Sequence, residues 1–166
     1  LVFDLRLEEG AGMYQVLWTS NSFSQADLQL RLEQNECAVI SDTLALAPYG
    51  PLEKKVGSLS GYGWTPEFLN KYVNEKKIIS IEEGIRRMTS LPAQRLGVKD
   101  RGILKENMKA DIVVFDTSSI RSTWTVKEPR SYPTGIEHVF VNGRQRISAG
   151  KRPRAHTGTV FTAPFA

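Results

Sequence analysis

Val39-Ile40-Ser41-Asp42, continued by Thr43-Leu44-Ala45-Leu46-Ala47-Pro48-Tyr49-Gly50-Pro51-Leu52, reads as the end of a buried strand that delivers one carboxylate into a loop marked by proline and glycine. Within the strand expected over residues 37–41 the apolar run Cys37-Ala38-Val39-Ile40 is continuous, which fits a strand covered on both faces. In parallel α/β architectures the loops at the C-terminal ends of strands form the active face, so a charge placed there is a candidate for chemistry. Asp42 also has an ordinary structural reading, in which an aspartate just past a strand caps a turn with its own side chain.

Upstream of this stretch, Ser24-Gln25-Ala26-Asp27 has the Ser-x-x-acid form of a helix start, and Leu28 and Leu32 share one face of the helix that follows. Tyr14-Gln15-Val16-Leu17-Trp18 is a β-prone run, and residues 3–9 look like the end of a helix stopped by Gly10 and Gly12. Strand, helix, strand with short links is a βαβ unit of a parallel sheet. Leu1-Val2-Phe3 begins inside an apolar pattern, so the chain reads as the later part of a longer polypeptide.

Downstream, the loop running to about Gly63 is long for a structureless connection, and such loops usually carry function. Thr65-Pro66 offers an N-cap and a proline at the first helical position, and Phe68, Leu69, Tyr72 and Val73 form an apolar stripe expected to be core. Ser80-Ile81-Glu82-Glu83 has the pattern of a capping box, with Ile85 and Met88 continuing the face of Ile81. Ser90 and Pro92 open a short helix through Leu96 that Gly97 should end. From Gly102 the pattern changes to short strands: residues 110–116, residues 136–141, then Asn142-Gly143 as a hairpin turn into residues 144–148, and a last strand from Gly158. Helices before Gly97 and strands after it predict two structural units, with a boundary near residues 97–102.

A length of 166 residues, with 40% hydrophobic and 24% charged residues, is that of an ordinary globular chain and argues against disorder. No apolar run reaches the length of a membrane span. A single cysteine, Cys37, excludes an internal disulfide and is compatible with a reducing compartment, so a soluble cytoplasmic protein is the expectation. The formal charge of +4 permits an anionic partner without requiring one.

The quoted loop, together with Met88-Thr89-Ser90-Leu91-Pro92-Ala93-Gln94-Arg95-Leu96-Gly97, Asp100-Arg101-Gly102, Ala110-Asp111-Ile112-Val113-Val114-Phe115-Asp116 and Gly135-Ile136-Glu137-His138-Val139-Phe140-Val141-Asn142-Gly143, resembles the C-terminal part of the amidohydrolase superfamily. The likeness is closest to the N-acyl-D-amino-acid deacylases, the D-aminoacylase branch. The tail Arg154-Ala155-His156-Thr157-Gly158 is similar to that family's tail.

The resemblance implies an α/β fold: the last strands and helices of a metal-dependent TIM barrel over residues 1–96, then part of a small β-sandwich over residues 97–166. A complete barrel takes typically about 250 residues, so the rest would lie upstream. It further implies a zinc-dependent hydrolase of a C–N amide bond, acting on a small N-acyl amino acid. Asp42 corresponds to the aspartate at the end of the last barrel strand, a proton shuttle on a metal-bound water and a weak candidate metal ligand. The family's remaining ligands lie upstream in the same polypeptide, so this chain alone is expected to be inactive. Ser41, Tyr49, Gly50, Ser58 and Ser60 fall in the substrate loop; relatives often present a histidine near residues 57–63, where this chain has the two serines. Partners with a membrane or nucleic acid are not expected.

His138 sits in a strand without a second ligand at usable spacing, and Cys37 in an apolar run fits a small core residue. Arg144, Arg146, Lys151, Arg152 and Arg154 form a basic cluster that supports a rival class, a β-rich module for polyanions, but they lack the interleaved aromatics that stack bases. Hydantoinase-like or dihydroorotase-like hydrolysis of a cyclic amide, and a non-catalytic relative of the family, are also compatible with these motifs.

Overall fold

The computed structural model describes residues 24–43, 46–47, 49–51, 53, 61–125, 127–151 and 157–160. The helix expected over residues 3–9, the run at 14–18, Ser58, Ser60, Arg152, Arg154 and His156 lie outside these.

Ser24 starts helix α1 (Gln25–Leu32) as its sequence requires. Its hydroxyl accepts the Asp27 N–H at 3.1 Å while the Asp27 carboxylate accepts the Ser24 N–H at 2.9 Å, a reciprocal cap that satisfies two donors. Thr65-Pro66 does not start the next helix. Helix α2 (Trp64–Glu67) begins earlier, with Gly63 as N-cap, and Pro66 sits in the first turn, where its missing N–H has no intrahelical partner to lose. Packing requires glycine at this cap: a Cβ on Gly63 would lie 2.1 Å from Ser122 Oγ and 2.3 Å from Trp124 Cδ1.

Helix α2 runs on into a wider, π-helical segment, Phe68–Glu75, closed by the Lys76 N–H on the Lys71 carbonyl at 3.0 Å. Its stripe is the core as expected: Phe68, Leu69, Tyr72 and Val73 are buried with Leu32 and Ile120. Helix α3 (Ile81–Met88) is capped by Ser80, whose hydroxyl accepts the Glu83 N–H at 3.2 Å. The expected return half of the capping box is not made, because the Glu83 carboxylate turns to Arg86 and Arg87 instead. Helix α4 (Ser90–Arg95) follows, and the Gly97 N–H closes it on the Gln94 carbonyl at 3.1 Å.

Residues 37–41, expected as a strand, form no strand. A strand exists through its ladder, and among the described residues no extended neighbour runs beside this one. The Val39 N–H instead donates to the Arg87 carbonyl at 2.9 Å, a tie to a helix end.

The strands after residue 102 make one antiparallel sheet in the order β1 (Ile112–Phe115), β2 (Ile136–Val141), β3 (Arg144–Ser148). Asn142 and Gly143 turn β2 into β3 with φ of +50° and +76°, the left-handed pair that a two-residue hairpin needs. Val139 faces Ile147 but Phe140 faces Gln145, so Arg146 is an extra residue that bulges β3. The last strand expected from Gly158 is absent over residues 157–160. That segment crosses the hairpin turn, where Asn142 Nδ2 donates to the Thr157 carbonyl at 2.8 Å and to Thr159 Oγ1 at 3.2 Å.

After β1, Asp116 folds the chain back by accepting from the Ser119 hydroxyl at 2.7 Å and the Ser118 N–H at 2.9 Å, bonds that also hold its carboxyl below the usual range. This turn drives Ile120 into the same apolar cluster as α1 and the π-helical segment. The core therefore draws on residues from both sides of positions 97–102. Among the described residues no helix is long and apolar enough to cross a membrane.

Candidate active site

The segment that carries Ser41 and Asp42 is held from below by arginines. Helix α1 ends at Leu32, leaving carbonyls without intrahelical partners at the negative end of its dipole. Arg87 Nη1 donates to the Leu32 carbonyl at 2.5 Å, Arg86 Nη2 to the Asn35 carbonyl at 2.7 Å, and Arg95 Nη2 to the Glu36 carbonyl. Glu83 orders the first two: its carboxylate accepts from Arg86 Nε at 2.6 Å and Arg87 Nε at 2.7 Å. Those bonds, Arg86 first and Arg87 second, pull the Glu83 carboxyl down to about 2. Sequence reading missed this arrangement, although Glu83 with arginines three and four residues on is the spacing that pairs charges on one helix face.

Beyond Val39 the chain opens onto a groove of about 380 Å³ lined by Val39, Ile40, Ser41, Thr43, Gly61, Trp64, Met88 and Pro92, with no charged side chain among them. Ser41 and Thr43 share a hydrogen bond on this side. Asp42, between them in sequence, is exposed and does not line the groove. Among the described residues no hydrogen bond to Asp42 is present, and residues 44 and 45, whose N–H groups would serve a turn capped by Asp42, lie outside them. Tyr49 is half exposed, and Gly50 opens a turn in which its carbonyl accepts the Glu53 N–H at 3.1 Å. The loop is tied to the second half of the chain: Tyr62 donates to the Leu46 carbonyl and packs on Tyr132 with ring centroids 5.1 Å apart, and Arg130 donates to the Glu53 carbonyl.

His138 Nδ1 shares a 3.0 Å hydrogen bond with Gln145 Nε2 across β2 and β3. Cys37 is half-buried and free. Asp111 joins the Asp100-Arg101 motif to the hairpin, accepting from Arg101 Nη1 at 2.5 Å and from the Asn142 N–H at 2.7 Å. Arg144 of the basic cluster opens onto a cleft that also holds Arg101, Lys109 and Asp100, so its charged lining is mainly positive.

The sequence pattern of the amidohydrolase family matches this chain over residues 41–147, beginning at Ser41 beside the exposed carboxylate. The chain belongs to the amidohydrolase family. An N-acyl-D-aspartate deacylase of Alcaligenes xylosoxydans xylosoxydans is 32% identical over 140 residues, which cover 84% of this chain and 26% of that enzyme. The crystal structure of a D-aminoacylase matches with a TM-score of 0.72 at 26% identity, over 82% of this chain and 27% of the other. An N-acyl-D-glutamate deacylase from Bordetella bronchiseptica, solved with zinc and a phosphonate mimic of the tetrahedral intermediate, matches with a TM-score of 0.65 at 29% identity, over 74% of this chain and 24% of the other. This amidohydrolase chain thus spans about a quarter of the length of these relatives.

Structural zinc is held by about four ligands and catalytic zinc by about three with a water. Among the described residues no group of three or more histidine, cysteine, aspartate or glutamate side chains converges. The described part of this chain does not make up a zinc site by itself.

Proposed function

We propose that this chain is the C-terminal share of a metal-dependent amidohydrolase that cleaves an amide C–N bond, with N-acyl-D-amino acids as the substrate class and Asp42 as the proton-transfer group. The observation that carries the reading is an exposed carboxylate delivered by an arginine-anchored segment at the start of the family match. A carboxylate so placed takes a proton from the attacking water and returns it to the leaving nitrogen, so one group serves both halves of the hydrolysis. The named activities of the relatives support the substrate class.

On this reading residues 1–96 complete a TIM barrel and residues 97–166 belong to a small β-sandwich. Zinc ligands come from the preceding part of the polypeptide, and Asp42 adds at most one. Ser41, Tyr49 and Gly50, with Ser58 and Ser60, border the substrate, and the protein works in the cytoplasm.

The test is to express the reading frame that contains this chain, measure its zinc, and compare wild type with Asp42→Asn on N-acyl-D- and N-acyl-L-amino acids. A loss in kcat of at least about 100-fold is expected for a missing general base. Undiminished turnover in Asp42→Asn removes the role assigned to Asp42. Hydrolysis of L-substrates alone removes the substrate class.

A further inference from the structure

Arg87 is the most deeply buried charged residue among those described, 1% exposed, and it grips the connection to Asp42 at both ends. Its side chain holds the Leu32 carbonyl at 2.5 Å, and its own carbonyl accepts the Val39 N–H at 2.9 Å. Between those points Arg86 takes the Asn35 carbonyl and Arg95 the Glu36 carbonyl, so the chain from Leu32 to Val39 is fixed at four places by α3 and α4. Asp42 follows Val39 by only three positions, so the last fixed point before the carboxylate is the Val39 tie to Arg87.

A buried guanidinium is costly unless it is paired, and well-packed apolar residues in place of the whole Glu83–Arg87 pair would often stabilise as well or better. What an apolar residue cannot do is bind Glu83 and an orphan carbonyl in fixed directions, which the planar guanidinium fork does. From this we infer that Arg87 is a positioning residue for Asp42: held by Glu83, it sets the height at which the segment leaves helix α1 and hence where the carboxylate sits. The inference rests on the proton-transfer role proposed for Asp42. Reacting groups tolerate little error, since a shift of about 1 Å costs about 100-fold in rate.

The experiment uses the full reading frame and the variants Arg87→Lys and Arg87→Met, each made in wild type and in Asp42→Asn. Arg87→Lys keeps the charge and loses the fork. In wild type it is expected to lower kcat by about 10- to 100-fold with KM changed less than about threefold. In Asp42→Asn the same change should move the residual kcat less than about twofold, because the group it positions is already gone. An equal loss in both backgrounds, or an effect confined to KM, overturns the inference.

Hydrogen exchange separates this from the fate of the functional reading. In both Arg87 variants the amide of Val39, whose N–H donates to the Arg87 carbonyl, should lose protection by at least about tenfold more than residues 68–75 do. A loss that is the same at Val39 and at residues 68–75, or none at Val39, overturns the inference. If the wild-type frame hydrolyses no amide, the proposed function falls and with it Asp42's catalytic role, while localised exchange still upholds Arg87 as the anchor of the Asp42 segment.

Discussion

Glu83 and Arg87, four residues apart on helix α3, form a 2.7 Å ion pair whose guanidinium is closed off from water while its carboxylate stays 27% exposed. The pair's effect is directional: Glu83 aims Arg87 at the end of helix α1, and helix α1 leads to Asp42.

Acid should loosen this arrangement. The Glu83 carboxyl is lowered from 4.5 to about 2 by its bonds to Arg86 and Arg87. A carboxyl depressed on folding contributes stability above its unfolded value, and that contribution is lost as pH falls from about 4.5 towards 2. Asp27, Asp100 and Asp116 are also lowered, by bonds to Ser24, Arg101 and Ser119 in turn, and their loss runs in the same direction. Urea midpoints should be flat between about pH 7 and 5 and fall below about 4. Glu83→Gln should shrink that fall by an amount on the order of 1 kcal/mol, discounted for the solvent that reaches the carboxylate.

The two arginines that share Glu83 should differ in cost. Arg87→Met strips a buried cation from its partner and leaves the Leu32 carbonyl unsatisfied, with an expected loss of about 3 kcal/mol. Arg86 is 38% exposed, and Arg86→Met should cost about 1 kcal/mol or less. Chemical denaturation of both variants checks the ranking; equal costs would mean that burial does not govern the pair.

The contrast shows what a sequence displays. The apolar stripe of Phe68, Leu69, Tyr72 and Val73, the Ser24 cap and the Asn142-Gly143 turn were legible because each is a local pattern with a local cause. Residues 37–41 read as a strand from composition, yet a ladder needs a partner that composition does not supply. Glu83 read as half of a capping box because the pattern does not reveal that arginines compete for its carboxylate. The close packing at the Gly63 cap comes from Ser122 and Trp124, about sixty residues away, which no window around Thr65-Pro66 could contain. For the site, Ser41-Asp42 was visible as a charge after an apolar run, whereas the arginines that fix it contact carbonyls more than fifty residues back.

Gly135 should be among the least replaceable glycines of the second half. Its φ is +78°, and a Cβ there would lie 2.5 Å from the Ile120 backbone, the point where the second half enters the core. Gly143 has a similar φ of +76° but nothing within 4 Å of its Cβ position. Gly143→Ala should therefore cost about 1 kcal/mol from the left-handed backbone alone, and Gly135→Ala about 3 kcal/mol or more because Ile120 must move as well. Thermal melts of the two variants side by side test this, and a Gly135→Ala protein as stable as Gly143→Ala would mean that the Ile120 contact gives way freely.

The chain as it stands should be a poor zinc ligand. Asp42 is a single exposed carboxylate, and among the described residues no second and third ligand stands near it. Zinc affinity rises with ligand number because each added ligand replaces a bound water without further loss of freedom, and lone carboxylates hold the ion weakly. Calorimetric titration of the 166-residue chain should show zinc binding no tighter than about millimolar, unchanged in Asp42→Asn, and no hydrolysis of N-acyl-D-amino acids. The longer reading frame should retain zinc through dialysis and lose both metal and activity to a chelator. Micromolar zinc binding by the chain alone, abolished in Asp42→Asn, would mean that its own residues gather into a metal site around this aspartate.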